Sequence, residues 1–216
     1  MSAPRRGPVW VALAVVLSAG LALLAHGALI DRLPARVGAV VALVPIALVI
    51  AWMLRRSRHR VAAFAALAAL FGAIAFYWDG IERHFPDLFF VEHAGGNLLL
   101  AFLFGRTLVG GREPLVTRFA RIMHATLPPE VERYTRHVTL AWTLLFVTLV
   151  VLSCIFYFAG MPAAWSVLAN IVNPVAVVAM FVIEYAVRLR ALPDWERVGI
   201  LGGVRAFSRH FSAAPR

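Results

Sequence analysis

Residues 138–158 read VTLAWTLLFVTLVVLSCIFYF, and this stretch decides the fold class. It contains no charged side chain, and its length matches a membrane span, because a helix needs about 20 apolar residues to cross the hydrocarbon layer. Its threonines and its serine can bond to their own backbone or to a neighbouring helix. The stretch therefore predicts a transmembrane helix.

Five further apolar stretches resemble it along the chain. Together they predict six spans within a single integral membrane domain over 1–216, at about 9–30, 37–54, 61–78, 93–109, 138–158 and 163–187. The predicted fold class is thus an all-α, polytopic transmembrane helix bundle with about six spans and with interfacial amphipathic helices.

The overall composition agrees with this fold class. Hydrophobic residues make up 62% of the 216 residues and charged residues only 15%, whereas soluble domains average about half apolar and about a quarter charged. A small soluble protein cannot bury so much apolar surface in one core. The composition therefore indicates that a bilayer surrounds much of the chain.

The distribution of arginine predicts the orientation. Every one of the 21 basic residues is Arg. Seventeen of them lie at the two ends of the chain and in alternate connections, and three lie in the other connections. Because cytoplasmic loops carry the excess of basic residues, we expect six spans in a bacterial inner membrane with both the N- and C-termini in the cytoplasm.

The net charge of +10 indicates which classes of molecule are expected to bind the protein. The arginines flank apolar stretches, so anionic membrane lipids are expected partners. No basic fold module that is typical of nucleic-acid-binding proteins is present, so nucleic acid is not expected. No cofactor is expected either.

Two predicted cytoplasmic segments are basic and amphipathic. Residues 112–127 form an expected interfacial helix, with Leu115, Phe119 and Ile122 on one face and polar residues, including Thr117, Arg118, Arg121 and His124, on the other. Residues 188–216 form an expected basic cytoplasmic tail. Arg118 and Arg121 are candidate binding residues on this basis.

One predicted external connection is dense in titratable groups. Its candidate catalytic residues are Asp79, Glu82, His84, Asp87, Glu92 and His93. Histidines and carboxylates together can hold a metal ion or act as an acid–base pair, but the spacing matches no metal motif, so no metal is expected. The alternative is a solvated turn that is anchored at the interface by aromatic residues, namely Tyr77, Trp78, Phe85, Phe89 and Phe90.

Polar residues inside predicted spans are costly and are therefore candidates for function. Asn97, Arg106 and Glu184 are the candidate binding residues of this kind. Glu184 lies four residues before Arg188 and can form an ion pair along a helix surface. Arg106 lies near the cytoplasmic end of its span and can reach the head groups.

A histidine and an aspartate near the end of the first span have an enzyme-like spacing. His26 and Asp31 are separated as in the H-x4-D pair of glycerolipid acyltransferases. The substrate-binding blocks that follow in that family are missing here, so we do not expect this pair to be an acyltransferase site.

Two blocks carry a resemblance to a known family. EHAGGNLLLAFLFGRTL at 92–108 and PLVTRFARIMHATLPPEVERYTRHVTLAW at 114–142 resemble uncharacterised bacterial inner-membrane proteins. That family is encoded with genes for aryl-polyene pigments, which fatty-acid-synthase-like enzymes make, and its members are sometimes labelled "ketosynthase". The resemblance extends from about Gly72 to Ala191, and the family has no agreed catalytic residues to carry over.

The ketosynthase label does not fit the residues. That chemistry needs a nucleophilic cysteine with histidine partners in a water-filled site. The only cysteine, Cys154, lies among apolar residues in the stretch quoted above, where a thiol is inert. We therefore expect this chain not to be a ketosynthase.

Three functions follow from these observations. The first is a non-enzymatic accessory component in the biosynthesis or membrane delivery of an aryl-polyene or other lipid-like product, with an acyl carrier protein or synthase subunits as partners. The second is an intramembrane lipid-modifying enzyme or carrier that uses the Asp79–His93 cluster. The third is a small-solute transporter, although internal repeats and midplane charges, which many transporters have, are missing.

Overall fold

The computed structural model describes residues 7–56, 60–124 and 126–192, and all regular secondary structure in these ranges is helical. In chain order the elements are α1 (Gly7–Leu29), α2 (Ala35–Arg56), α3 (Arg60–Phe76), α4 (Trp78–Arg83), α5 (Phe85–Gly105), α6 (Leu115–Met123), α7 (Pro129–Phe158), α8 (Pro162–Val167), a π-helical turn (Leu168–Val172) and α9 (Asn173–Ala191). The predicted all-α fold is confirmed.

Among the described residues, four helical stretches are long and apolar enough to cross a membrane. They are Ala35–Leu54, Phe85–Gly105, Pro129–Phe158 and Pro162–Ala191. At about 1.5 Å of rise per residue, each can cover a hydrocarbon layer of about 30 Å. The chain is therefore an all-α, membrane-embedded protein.

The first and third predicted spans correspond to α1 and α3. Both are helical, over Gly7–Leu29 and Arg60–Phe76, and apolar stretches are identified in the described part of each, at Val16–Leu29 and Ala65–Phe76. The third helix ends at Phe76, and a separate short helix, α4, follows it. The count of six spans stays a prediction.

Large apolar side chains are exposed along these helices, as expected where lipid is the solvent. Leu23 is 68% exposed, Leu48 65% and Phe71 65%. In a soluble protein such a surface would be a liability, because exposed apolar patches of this extent drive association. The same residues are compatible with contact to lipid chains.

The helix that corresponds to the fourth predicted span, 93–109, has different bounds. Helix α5 begins at Phe85 and ends at Gly105, so most of the predicted external connection is helical. Pro86 is tolerated because it occupies the first turn, where its missing N–H is not needed. Arg106 follows the end of this helix and is not inside it.

The fifth predicted span, 138–158, lies within a longer helix. Helix α7 starts at Pro129 and not at 138, and it ends at Phe158 as expected. Glu130 and Glu132 lie in its first turn, where negative charge favours the helix dipole. The predicted span is the apolar part of a longer helix.

The sixth predicted span contains an irregular turn. The π-helical turn Leu168–Val172 joins α8 to α9. Pro174 lies just after it and has no N–H to donate to the carbonyl of Asn170, so the regular α-helical hydrogen bonding is interrupted there. The interruption is thus a widened turn that directly precedes Asn173 and Pro174.

The predicted interfacial helix is shorter than expected. Helix α6 covers Leu115–Met123 and not 112–127, because Pro114 and His124 have extended backbone on either side of it. Of the predicted tail, Arg188 and Arg190 lie in the last turn of α9. Residues 193–216 lie outside the described residues.

The chain divides into two compact units. The first consists of Met1–His93 with Ile155–Ile171, and the second consists of Ala94–Cys154 with Val172–Arg216. In the first unit, α1 packs on α2 and on α8. Its core is a cluster of buried residues, namely Ala28, Leu29, Ala39, Phe85 and Trp165.

The core of the second unit is aromatic. Trp142 is 6% exposed and Phe146 is 4% exposed on α7. The ring of Trp142 lies 4.8 Å from that of Phe181 on α9 and 6.0 Å from that of Phe104 on α5. These rings hold the three helices of this unit together through contacts of the aromatic edge and face.

Candidate functional site

Five of the six candidate catalytic residues lie on two helices, and the sixth lies between them. Asp79 and Glu82 belong to α4, and His84 separates this helix from α5, which carries the other three. The guanidinium of Arg83 donates from Nε to the carbonyl oxygen of Asp79 at 3.0 Å and so satisfies the backbone of its own short helix. The predicted alternative of a turn is therefore replaced by a short helix followed by the start of α5.

Asp87 is the centre of the contacts in this region. Its Oδ2 lies 2.9 Å from Nδ1 of His84, and Tyr157 of α7 donates its hydroxyl to Oδ1. The side chains of His84 and Asp87 are 73% and 58% exposed, so solvent screens their interaction and limits its contribution to stability. The structure thus brings two of the six candidates together as an acid–base pair with a tyrosine partner.

Glu92 and His93 lie further along α5 and in different surroundings. The Oε1 of Glu92 is buried and has no hydrogen-bond partner among the described residues. The ring of His93 meets that of Trp165 edge to face at 6.3 Å. Within the described residues, no three histidine, cysteine, aspartate or glutamate side chains are placed to hold a metal ion.

The aromatic residues of this region were predicted to anchor a turn at the membrane interface. At least two of them instead pack against other side chains of the protein. Phe85 is 6% exposed and belongs to the core cluster of the first unit. Phe90 stacks on Tyr157 with the ring centroids 4.0 Å apart. Tyr77 is 64% exposed and fits the predicted anchoring role.

His26 has a partner that the sequence did not indicate. Its Nδ1 lies 2.7 Å from Oγ of Ser166 on α8, and Asp31 is exposed at the end of α1 with a φ of 59°. The H-x4-D interpretation of His26 is therefore replaced by a contact with a serine 140 residues away. No spacing in a single sequence reveals such a pair.

Threonine hydroxyls hold α6 against α7 in the second unit. The N–H of Leu115 donates to Oγ1 of Thr107 at 3.0 Å, and the N–H of Val116 donates to Oγ1 of Thr139 at 3.2 Å. These contacts satisfy N–H groups that the start of any helix leaves unpaired. Helix α6 is thus fixed at its beginning by side chains of neighbouring segments.

The face of α6 that was predicted to be polar and exposed is partly buried. Thr117 is 2% exposed, and its hydroxyl lies 2.7 Å from that of Thr135 on α7. Thr135 in turn donates to the carbonyl of Val131 at 2.9 Å. Thr117 therefore joins the two helices, while Arg118 and Arg121 on the same helix stay exposed.

Arg121 bridges two carboxylates from either side of α6. Its Nε lies 2.6 Å from Oε1 of Glu113, and its Nη2 lies 2.7 Å from Oε1 of Glu132. The hydrogen bond that Arg121 donates to Glu113, followed by the one that it donates to Glu132, raises the pKa of Arg121 above its ordinary value. The guanidinium therefore stays charged and aligns α6 with the first turn of α7.

These residues surround an open cleft, which we call the arginine cleft. Its volume is about 710 Å³. The side chains that matter for its chemistry are Glu113, Thr117, Arg121, Glu132, Arg133 and Arg136. Three arginines against two glutamates leave an excess of positive charge, which suits an anionic group.

The three arginines of the cleft differ in the hydrogen bonds and ion pairs that their guanidinium groups form. Arg121 is shared between its two glutamates. Arg136 donates from Nη2 to the carbonyl of Leu108 at 2.9 Å. Arg133 is exposed and forms no hydrogen bond or ion pair with the described residues. It is thus the arginine with most capacity to bind an incoming anion.

The remaining candidate binding residues stay apart from the cleft. Asn97 is buried in α5, and Arg106 lies over the ring of Phe102 at 5.6 Å. Glu184 pairs with Arg188 at 3.5 Å, as predicted, and also accepts a hydrogen bond from the hydroxyl of Tyr134 at 3.2 Å. These contacts account for Glu184 as a structural residue.

Comparison with known protein families, with curated proteins and with solved structures gave no match to this chain.

Proposed function

We propose that the chain is an accessory component in the biosynthesis or membrane delivery of an aryl-polyene or other lipid-like product, and that the arginine cleft binds an acidic carrier protein. The observation that carries the proposal is the fixed position of α6 against α7, which brings Arg121 of α6 together with Arg133 and Arg136 of α7 along one cleft. A surface that is already ordered loses little conformational entropy on binding.

The charge of the cleft favours an acidic partner. Acyl carrier proteins are acidic, and opposite charges across an interface accelerate and orient association. Arg133 supplies an exposed guanidinium for which no hydrogen bond or ion pair to the described residues is seen. Arg121 offsets one of the two negative charges of Glu113 and Glu132, and Arg133 and Arg136 outweigh the other, so the cleft keeps a net positive charge toward an approaching carboxylate or phosphate.

The proposal includes a topology with six spans in a bacterial inner membrane, with both ends of the chain in the cytoplasm. The arginine distribution supports it, because the cleft then faces the compartment that holds the carrier proteins. The four long apolar helices agree with an even number of crossings but do not fix it.

Accessibility of engineered cysteines tests the topology. In a Cys154→Ala background, Thr126→Cys lies between α6 and α7, and Arg32→Cys lies between α1 and α2. With a membrane-impermeant maleimide on intact spheroplasts, we expect labelling at position 32 and protection at position 126 until the membrane is opened. Labelling of position 126 in intact spheroplasts would contradict the topology.

Retention of a carrier protein tests the function. We expect the full-length protein in detergent to retain a purified acyl carrier protein at low salt and to release it at high salt. The double variant Arg133→Glu, Arg136→Glu should lose this retention, and Arg83→Glu, which makes the same charge change on α4, should keep it. Absence of retention at low salt by the unaltered protein would refute docking.

Anionic lipid is the competing occupant of the cleft. Vesicles with and without phosphatidylglycerol separate the two cases in the same assay. Carrier retention that persists without anionic lipid supports the proposal. Binding to phosphatidylglycerol vesicles without any retention of the carrier would reassign the cleft to lipid head groups.

One observation favours the second candidate, a lipid-modifying enzyme or carrier. Asp87 contacts both His84 and Tyr157, an arrangement that can orient an imidazole for proton transfer. The variants His84→Ala and His93→Ala then abolish the lipid-like product in cells while the protein level stays normal. Normal product from the double variant would exclude this candidate.

A further inference from the structure

We propose that Ser166, His26 and Asn170 form a serine acyl-transfer site in the first unit, with an acyl ester of a membrane lipid as substrate. Nucleophilic serine chemistry needs a hydroxyl, a base within hydrogen-bond reach and a donor for the oxyanion. These three groups meet here around a single hydroxyl oxygen. The site is independent of the arginine cleft and goes beyond the accessory function.

The base is His26. Its Nδ1 lies 2.7 Å from Oγ of Ser166, a distance at which an imidazole can take the proton of a hydroxyl. His26 lies in the last turn of α1 and Ser166 on α8, two helices that pack together. The contact is therefore supported by the packing of its two helices.

Asn170 fixes the direction of the hydroxyl proton. Its Nδ2 lies 3.0 Å from the carbonyl oxygen of Ser166 and 3.3 Å from Oγ. A carbonyl oxygen only accepts, so the nitrogen of the amide must face it, and the same nitrogen donates to Oγ. The serine proton is then directed at Nδ1 of His26, as a nucleophile requires.

The π-helical turn positions this amide. Asn170 is the middle residue of Leu168–Val172, and turns of this type are frequent at functional sites. Pro174 prevents a regular helix here, because it cannot donate to the carbonyl of Asn170. The turn therefore follows from the sequence, and it places an amide donor beside Oγ of Ser166.

The surroundings indicate a lipid substrate. Ser166 is 0% exposed and Trp165 is 1% exposed, so the hydroxyl lies in a dry environment where hydrogen bonds to developing charge are strong. Apolar side chains near the pair face outward, with Leu23 68% and Met161 47% exposed. An acyl chain in the bilayer can approach across such a surface, whereas a polar solute cannot.

Access to Ser166 requires α8 to move. This helix has only six residues and lies between two irregular segments. Gly160, with a φ of 68°, precedes it, and the π-helical turn follows it. Local unfolding of a short helix between two irregular segments costs less free energy than local unfolding of a long regular helix.

The reaction balances with these groups alone. Oγ of Ser166 bonds to the ester carbonyl carbon while its proton passes to Nδ1 of His26, and the amide of Asn170 donates to the oxyanion. The bond from carbon to the alcohol oxygen then breaks, and His26 returns the proton to the leaving alcohol. Transfer of the acyl group from Ser166 to a second hydroxyl or to water reverses these steps.

An alkyl fluorophosphonate, which phosphonylates activated serines, tests the site on the full-length protein in detergent. We expect labelling at Ser166, identified by peptide mass spectrometry, and none in Ser166→Ala. Ser153 is equally buried, at 0% exposure, and Ser153→Ala should label like the unaltered protein. No labelling of Ser166 in the unaltered protein would overturn the proposal.

The variant His26→Asn separates catalysis from a structural tether. The asparagine amide can still accept the hydrogen bond from Ser166 but cannot take its proton, so the fold is kept while the base is lost. Loss of a general base lowers rates by about 10²-fold or more, and we expect this fall in labelling with an unchanged elution profile. Equal labelling of His26→Asn would show that the histidine only holds the two helices together.

Discussion

The backbone N–H of Val116 donates to the hydroxyl of Thr139 at 3.2 Å. The two residues belong to helices of different kinds, since α6 is short and amphipathic and α7 is long enough to cross a membrane. A hydroxyl of a long apolar helix thus completes the first turn of a short one. The arginine cleft depends on this contact, because it fixes the helix that carries Arg121.

Removal of that hydroxyl should loosen α6. In Thr139→Val, the N–H of Val116 loses its acceptor, and an unsatisfied buried donor costs about 1–3 kcal/mol. We expect faster amide hydrogen exchange in a peptide that covers Leu115–Met123, measured by mass spectrometry.

Thr143→Val is the matched control for this change. The hydroxyl of Thr143 donates only to the carbonyl of Thr139 in its own helix, at 2.9 Å, and valine has nearly the same shape. Exchange in α6 should stay unchanged in this variant. Equal exchange in the Thr139 and Thr143 variants would mean that the contact does not hold α6.

Gly38 of α2 leaves room for a ring of α5. A Cβ at this position would overlap the ring of Phe85, which is 6% exposed. Overpacking of a core costs about 1–3 kcal/mol, so Gly38→Ala should lower the melting temperature in detergent. Gly80→Ala, where a Cβ meets nothing within 4 Å, should leave it the same or raise it, and equal melting temperatures for both variants would contradict this packing.

Arg121→Ala should separate binding from stability. Its two ion pairs are exposed, with 42% of the arginine side chain accessible, and exposed pairs contribute little to stability because solvent screens them. The melting temperature should therefore change little. Carrier retention should fall, because two arginines then face two uncompensated glutamates in the cleft, and unchanged retention would argue that Arg121 takes no part in docking.

Tyr157→Phe distinguishes the two candidate functions. The variant keeps the stacking of residue 157 on Phe90 but removes the hydroxyl that donates to Asp87. Under the accessory function we expect a normal level of the lipid-like product in cells, measured by lipid extraction and mass spectrometry. Loss of the product with a normal protein level would favour the enzyme that uses His84 and Asp87.

The start of α5 differs from the start that hydropathy predicts for the fourth span. Asp87, Glu92 and His93 lower the local hydropathy, so the span was predicted to begin at 93 when the helix begins at Phe85. The cost of Asp87 is offset by a contact that hydropathy does not include, namely the hydroxyl of Tyr157 on its carboxylate. Hydropathy predicts the existence of helices well, but it places their ends poorly where polar groups find distant partners.

The two sites were predictable to different degrees. The period of apolar residues predicted α6 and drew attention to Arg121, because amphipathic helices have a local signature. Thr117 was assigned to the exposed face because its partner, Thr135, lies on another helix. The contact between His26 and Ser166 joins positions 140 residues apart and depends wholly on how α1 and α8 pack.

The threonines of α7 place an unusual limit on which residues this membrane helix tolerates. Thr135 and Thr139 are 6% and 0% exposed, so a ranking by hydropathy alone would favour valine or isoleucine at both positions. The bonds to α6 require a hydroxyl instead, and serine is the replacement that keeps one. Selection at these two positions therefore acts on the arginine cleft that they support, although the residues themselves belong to a helix built for lipid.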